Sequence, residues 1–242
     1  MRSLPWEAVP ALTARQMAEV DRIMVEELGI GLVQMMENAG RSLAELVMRR
    51  FTPGSALVLA GTGGNGGGGL AGARHLANRG VEVAAVLAGP VEALSPVTRV
   101  QLDILERLGV QVTGSAQEAD VVIDALIGYS LQGDPQGRAA ELIEWANLQS
   151  SPVLSLDAPS GLDVTTGLAG SPCATASATL TLALPKVGLR SAGQVGELYL
   201  ADISVPPLAY LRLGLEVPRL FIDEGIVRIE RGPGGNGRQV GP

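Results

Sequence analysis

The chain has little from which to build a redox or transition-metal centre. Cys173 is its single cysteine, so no intrachain disulfide can form and a thiolate metal cluster is excluded. His75 is its single histidine, which excludes a His-rich metal site and reads as a helix-surface or packing residue. Basic residues are also short: 18 Lys and Arg against 25 Asp and Glu give a net charge of −7 and a pI near 4.8. That balance argues against nucleic acid and against anionic membranes, although a local phosphate site can exist within an acidic protein. No apolar run reaches the roughly 18 residues needed to span a bilayer, and the opening Met1–Glu7 lacks the apolar stretch of a secretory signal. The expectation is a cytoplasmic protein whose partners are small molecules or proteins.

What is present is apolar residues and glycine. A hydrophobic content of 46% over 242 residues is enough for one substantial core, and 32 glycines imply many tight turns. One domain is expected over residues 1–230. The tail 231–242, Arg-Gly-Pro-Gly-Gly-Asn-Gly-Arg in its first eight positions, has too little apolar surface to pack and is expected to be disordered.

Thr13 reads as the N-cap of a first helix carrying Met17, Val20, Ile23 and Met24 at helical spacing, stopped by Gly29. A second helix is predicted from Leu32 to about Phe51, so that two helices precede the first strand. Strand-like runs follow at Ala56–Ala60, Val81–Leu87, Val110–Val112, Val121–Ile123, Val153–Leu156, Ala178–Leu182 and Glu197–Leu200. Helical patterns fall near Leu70–Arg79, Val97–Leu108 and Ala139–Leu148. This alternation predicts an α/β fold with a mostly parallel sheet between layers of helices, since several strands are continuously apolar. The strands after Pro185 have no helix between them and are expected to pair differently at an edge.

The stretch Gly61-Thr62-Gly63-Gly64-Asn65-Gly66-Gly67-Gly68-Gly69 follows the apolar run Ala56–Ala60. Without Cβ atoms, such a loop offers successive N–H groups to an anion, and the following helix adds its positive end. Gly61 to Gly66 fits G-x-G-x-x-G in a strand-to-helix context, but the acidic residue that should close the second strand is missing: that strand ends Val86-Leu87-Ala88-Gly89. No Lys-Ser/Thr pair follows the glycines, so the P-loop pattern also fails.

Three further segments reach the carboxyl ends of strands, where open α/β sheets bind ligands. Asp124 ends Val121-Val122-Ile123 and is followed by the loop Gly128-Tyr129-Ser130-Leu131-Gln132-Gly133; Asp157 follows Val153–Leu156 and precedes Pro159-Ser160-Gly161; Lys186 follows Leu184-Pro185. Each also has a plainer reading: a turn cap for either aspartate, a surface lysine for Lys186.

Taken in order, Leu12-Thr13…Met17…Asp21, Met36-Glu37-Asn38-Ala39-Gly40, the glycine stretch through Ala73-Arg74-His75-Leu76, Val122–Gly128, Asp157–Asp163, Pro185-Lys186-Val187-Gly188-Leu189 and Asp202-Ile203 resemble the NAD(P)H-hydrate epimerases, the YjeF N-terminal domain family. The resemblance covers most of the chain and implies a Rossmann-like fold, a homodimer, and epimerisation of the hydrated nicotinamide ring of NAD(P)H hydrate. It further implies that Gly64, Asn65, Gly66, Gly67 and Gly68, with Gly128, Tyr129, Ser130, Leu131, Gln132 and Gly133, surround the substrate phosphates. Asp157 would lie at the reacting ring, and a potassium ion would be held by Asn65, Asp124 and Ser160. The chain departs from the family's usual Asn-Asn-Gly-Gly-Asp-Gly loop: Gly64 stands for the first Asn and Gly68 for the Asp. Tyr129-Ser130 stands where Thr-Gly is common. A missing carboxylate at Gly68 leaves a second reading, a noncatalytic nucleotide-binding or scaffold domain.

Overall fold

A computed structural model describes residues 1–232. Its strands are β1 (Ser3–Pro5), β2 (Ser55–Ala60), β3 (Glu82–Leu87), β4 (Gln111–Thr113), β5 (Val121–Ala125), β6 (Val153–Leu156), β7 (Ala178–Leu182), β8 (Glu197–Ala201) and β9 (Ile226–Glu230). The helices are α1 (Ala14–Arg22), α2 (Leu32–Arg50), α3 (Gly64–Ala77), α4 (Pro96–Arg107), α5 (Gly137–Asn147) and α6 (Pro207–Leu211). Among the described residues the strands form one sheet in the order β1-β9-β8-β7-β6-β5-β2-β3-β4, parallel except where β9 runs antiparallel to β8.

Period-two alternation places the layers. On β2, Ala56, Val58 and Ala60 pack with Leu43, Leu70 and Leu102 of α2, α3 and α4, while Leu57 and Leu59 turn to Leu142 and Ile143 of α5. The result is the three-layer Rossmann-like arrangement expected. A further apolar cluster joins Met17 and Val20 of α1 to Leu198 and Leu200 of β8 and Ile229 of β9. Thr13 caps α1 as predicted, its hydroxyl accepting from Gln16 N–H while the Gln16 side chain accepts from Thr13 N–H at 2.9 Å.

The structure differs from expectation in three places. First, a strand precedes the two helices: β1 is three residues long, buries only Leu4, and pairs with β9. So short a strand leaves no periodicity to read. Second, β9 lies between β8 and β1; its burial alternates along Val227-Arg228-Ile229-Glu230. Third, the glycine stretch is not all loop. Gly64 to Gly69 are the first turns of α3 and Gly63 is its N-cap. Glycine inside a helix costs about 1 kcal/mol relative to alanine, and packing explains why it is kept. A Cβ at Gly66 would fall 1.9 Å from the Gly61 carbonyl oxygen, and one at Gly69 2.4 Å from Ala125 Cβ.

Arg231, at the start of the expected tail, is held by the fold: its guanidinium donates to the carbonyls of Ala192 at 2.9 Å and Gly196 at 2.7 Å. Residues 233–242 of that tail lie outside the described residues.

Candidate active site

The sheet changes winding direction between β2 and β5: the chain goes from β2 to β3 on one side and from β5 to β6 on the other. Ligands bind at such a point, outside the carboxyl ends of the strands. A cavity of about 280 Å³ lies there, between the α3 N-terminus, the ends of β5 and β6, and the helices α1 and α2. Met17, Leu32, Met35, Met36 and Ala39 make an apolar wall; Asp21, Asn65, Tyr129, Ser130 and Asp157 supply the polar groups. Unpartnered N–H groups of a helix's first turn favour an anion, and Gly64 and Asn65 present that turn here.

Asp157 follows β6 and is 4% exposed. Its φ is +68°, and Ala158 N–H donates to the Leu156 carbonyl at 2.9 Å across it, so the aspartate centres a γ-turn. This conformation is costly for a residue with a Cβ, about 1–3 kcal/mol, and such strain clusters at functional sites. Both carboxylate oxygens are held. Lys186, with no exposed surface, donates its ammonium to Oδ1, and Tyr129 N–H donates to Oδ2 at 2.9 Å. The Lys186 ammonium also donates to Thr181 Oγ1 at 3.2 Å and to the Leu182 carbonyl at 3.0 Å. The surface reading of Lys186 is therefore overturned: it is fully buried, and backbone bonds from Leu12 to Pro185 and from Val187 to Leu12 pin it against the segment that leads into α1.

Also on the cavity wall, Asp21 Oδ2 accepts from the Tyr129 hydroxyl at 2.6 Å. Burial pushes the Asp21 carboxyl above the usual range, against the hydrogen bond from Tyr129 and the charge of Lys186. The Tyr129 phenol is also pushed up, by burial and then by Asp21. Asp21 had a readable signal: it stands four residues after Met17 and three before Met24, on the stripe where helical spacing calls for apolar side chains.

Of the residues expected to surround the substrate, Gly64, Asn65, Gly68, Gly128, Tyr129, Ser130 and Asp157 line the cavity. Gly66, Gly67, Leu131, Gln132 and Gly133 do not. Gly67 packs beside Met36 and Thr98, within 2.9 Å of either for a Cβ placed there, and Gln132 and Gly133 are exposed. Gly61 admits the Leu126 carbonyl, whose oxygen would lie 1.9 Å from a Cβ, and so lets the ends of β2 and β5 meet.

The expected potassium ligands divide. Asp124, 1% exposed, and Ser160, fully buried, meet directly: Ser160 donates to Asp124 from Oγ at 2.5 Å and from N–H at 2.9 Å. Ser155 Oγ adds a third bond at 2.7 Å. Asn65 stands on the cavity wall, its Nδ2 donating to the Leu156 carbonyl at 3.2 Å, which leaves Oδ1 as a further oxygen donor. Burial pushes the Asp124 carboxyl up, against the hydrogen bonds that Ser160, Ser155 and the Leu126 N–H donate to it. A buried carboxylate among hydroxyl and amide oxygens fits a hard monovalent cation.

Fold and site together define a Rossmann-like domain with a switch-point cavity carrying two carboxylates, one of them paired to a buried lysine. The chain belongs to the family described as YjeF-related protein N-terminus, whose model matches residues 32–188. It is 49% identical over 232 residues to an NAD(P)H-hydrate epimerase of Dehalogenimonas lykanthroporepellens, covering 92% of this chain and 94% of that one. It is 36% identical to the NAD(P)H-hydrate epimerase of Rhodopirellula baltica, over 82% of this chain and 86% of the relative. A bifunctional NAD(P)H-hydrate repair enzyme Nnr of Hyperthermus butylicus is 39% identical over 84% of this chain, which spans 40% of that longer protein. The crystal structure of yeast ynu0 shares the fold, with a TM-score of 0.78 at 24% identity, covering 91% of this chain and all of the other. No helix among the described residues is long and apolar enough to cross a membrane.

Proposed function

We propose that this chain is an NAD(P)H-hydrate epimerase, interconverting the R and S forms of the hydrated nicotinamide ring in nucleotide repair. The observation that carries the reading is Asp157, held at the wall of the switch-point cavity by Lys186 and the Tyr129 N–H. Family membership and the names of relatives aligned over most of their length support the substrate.

The hydrate bears a hydroxyl on the carbon beside the ring nitrogen. The nitrogen lone pair expels it and leaves a planar iminium; water returning to the other face inverts the centre. Departing hydroxide needs a proton, and returning water must lose one. Asp157 takes the proton of the returning water. The N-terminal turn of α3 at Gly64 and Asn65 receives the diphosphate, and the apolar wall of Met17, Met35 and Met36 keeps bulk water from the reacting ring. Asn65, Asp124 and Ser160 would hold a potassium ion, whose charge would offset that of Asp124 beside the bound phosphates.

The same reading takes the protein as a cytoplasmic homodimer, which sedimentation of the purified chain tests. A second reading, a binding-only scaffold domain, is favoured by one observation: Gly68 lines the cavity without the carboxylate that its family usually places there. Turnover of separated R and S hydrates decides between them. Interconversion at a rate above the uncatalysed control is expected, and binding without interconversion overturns the epimerase.

A further inference from the structure

We propose that Asp21 is the proton donor of this reaction, acting beside Asp157 in the same cavity; the inference rests on the epimerase reading above. Both aspartates line the same cavity, one on α1 and one after β6, and a single residue holds them both. The Tyr129 hydroxyl donates to Asp21 Oδ2 at 2.6 Å, and the Tyr129 N–H donates to Asp157 Oδ2 at 2.9 Å.

The two carboxyl groups differ in what their partners can do. Asp157 meets an ammonium and a backbone N–H, which donate and never accept, so its partners hold it as the carboxylate, the form a base needs, and offer no acceptor to a proton of its own. Asp21 meets a phenol hydroxyl, which both donates and accepts. It keeps its hydrogen bond whether or not it carries the proton. Burial acts in the same sense, favouring the neutral carboxyl of Asp21. The titratable groups facing Asp21 are Tyr129 after β5, Asp157 after β6, Lys186 after β7 and Tyr210 of α6.

The steps balance. Neutral Asp21 gives its proton to the leaving hydroxyl as the C–O bond breaks, releasing water, and the nitrogen lone pair forms the C=N bond of the iminium. A second water adds to the other face, its oxygen forming the new C–O bond and its proton passing to Asp157. Exchange with solvent returns one proton from Asp157 to Asp21. In this scheme each face of the planar ring is served by its own carboxyl group, and inversion is the outcome.

Three variants test this through turnover of separated hydrate epimers, each over a range of pH, with folding checked by circular dichroism. Asp21→Asn should lose at least about 100-fold in turnover, the low end for general acid–base catalysis. The fall of activity at high pH, which reports loss of the Asp21 proton, should vanish from whatever rate remains. Asp21→Glu should restore that limb. Tyr129→Phe removes a bond that favours the charged carboxylate, so it should move the limb to higher pH. If Asp21→Asn turns over within about threefold of wild type, the proposal is overturned. It is equally overturned if Asp21→Asn and Tyr129→Phe lose turnover alike with unshifted pH profiles, since Asp21 would then only anchor the Tyr129 loop. If Asp21→Asn does not fold, Tyr129→Phe decides: a limb moved to higher pH supports the proposal, and an unshifted limb overturns it. A wild type without turnover removes the epimerase reading, and this inference with it.

Discussion

Lys186 reaches Asp157 entirely within the protein: the lysine has no exposed surface, the aspartate 4%, and the ammonium meets Oδ1 of the carboxylate directly. Removing one partner of a buried pair leaves an uncompensated charge, a loss of about 3–5 kcal/mol. Lys186→Met is therefore expected to lower stability in urea by that amount, leaving Asp157 with the Tyr129 N–H as its remaining partner here. A change below about 1 kcal/mol would show that the pair contributes nothing net to the fold.

Asp157→Asn keeps the size of the side chain but not its fit. Both groups facing Asp157 are donors, and an amide offers an acceptor to only one of them while turning its NH₂ toward the other. Turnover should fall at least about 100-fold, with a stability loss of about 1–3 kcal/mol for the mismatched donor. Interconversion of the hydrates at the wild-type rate would remove Asp157 from the reaction.

Two glycines two residues apart should answer oppositely to alanine. At Gly66 the new Cβ would fall 1.9 Å from the Gly61 carbonyl oxygen; at Gly64 it would meet only Met36 Cε at 3.7 Å. Gly66→Ala is expected to lower stability by about 1–3 kcal/mol or more. Gly64→Ala should keep or slightly raise it, by up to about 1 kcal/mol through helix propensity. Thermal melts compare them, and equal effects would mean that the packing of α3 on the β2 end does not set the glycine requirement.

For the cation, a crystal grown with rubidium in place of potassium should show an anomalous peak among Asn65, Asp124 and Ser160. A peak is expected because Asp124 has only neutral partners in the fold. Water alone at that position under high rubidium would falsify the assignment.

The sequence showed the frame of the site but not its inner contacts. Apolar runs leading to Asp124 and Asp157 could be read directly, since buried parallel strands are mostly apolar. The helix spans were close for the same reason: α2 was expected from Leu32 to about Phe51 and runs to Arg50. Lys186 was not legible, because a lysine after a strand looks the same whether it faces water or a buried carboxylate 29 residues earlier. Nor was the helical state of Gly64 to Gly69. Propensity disfavours it, and what overrides propensity is contact with the Gly61 carbonyl, folded back onto the helix, and with Ala125 on β5, outside any local window.

Helices α2 and α3 cross at Gly40 and Gly72. A Cβ on Gly40 would fall 2.6 Å from Ala71 Cβ and 2.7 Å from Gly72 N, and one on Gly72 2.6 Å from Leu43 Cδ2. Backbones in such contact leave no side-chain layer to slide or repack between them. Since α2 carries Met35, Met36 and Ala39 and α3 carries Gly64 and Asn65, two walls of the cavity are welded to one another before any ligand arrives. A dinucleotide entering this cavity therefore finds its receptor already shaped, and little of its binding energy is consumed in ordering the protein around it.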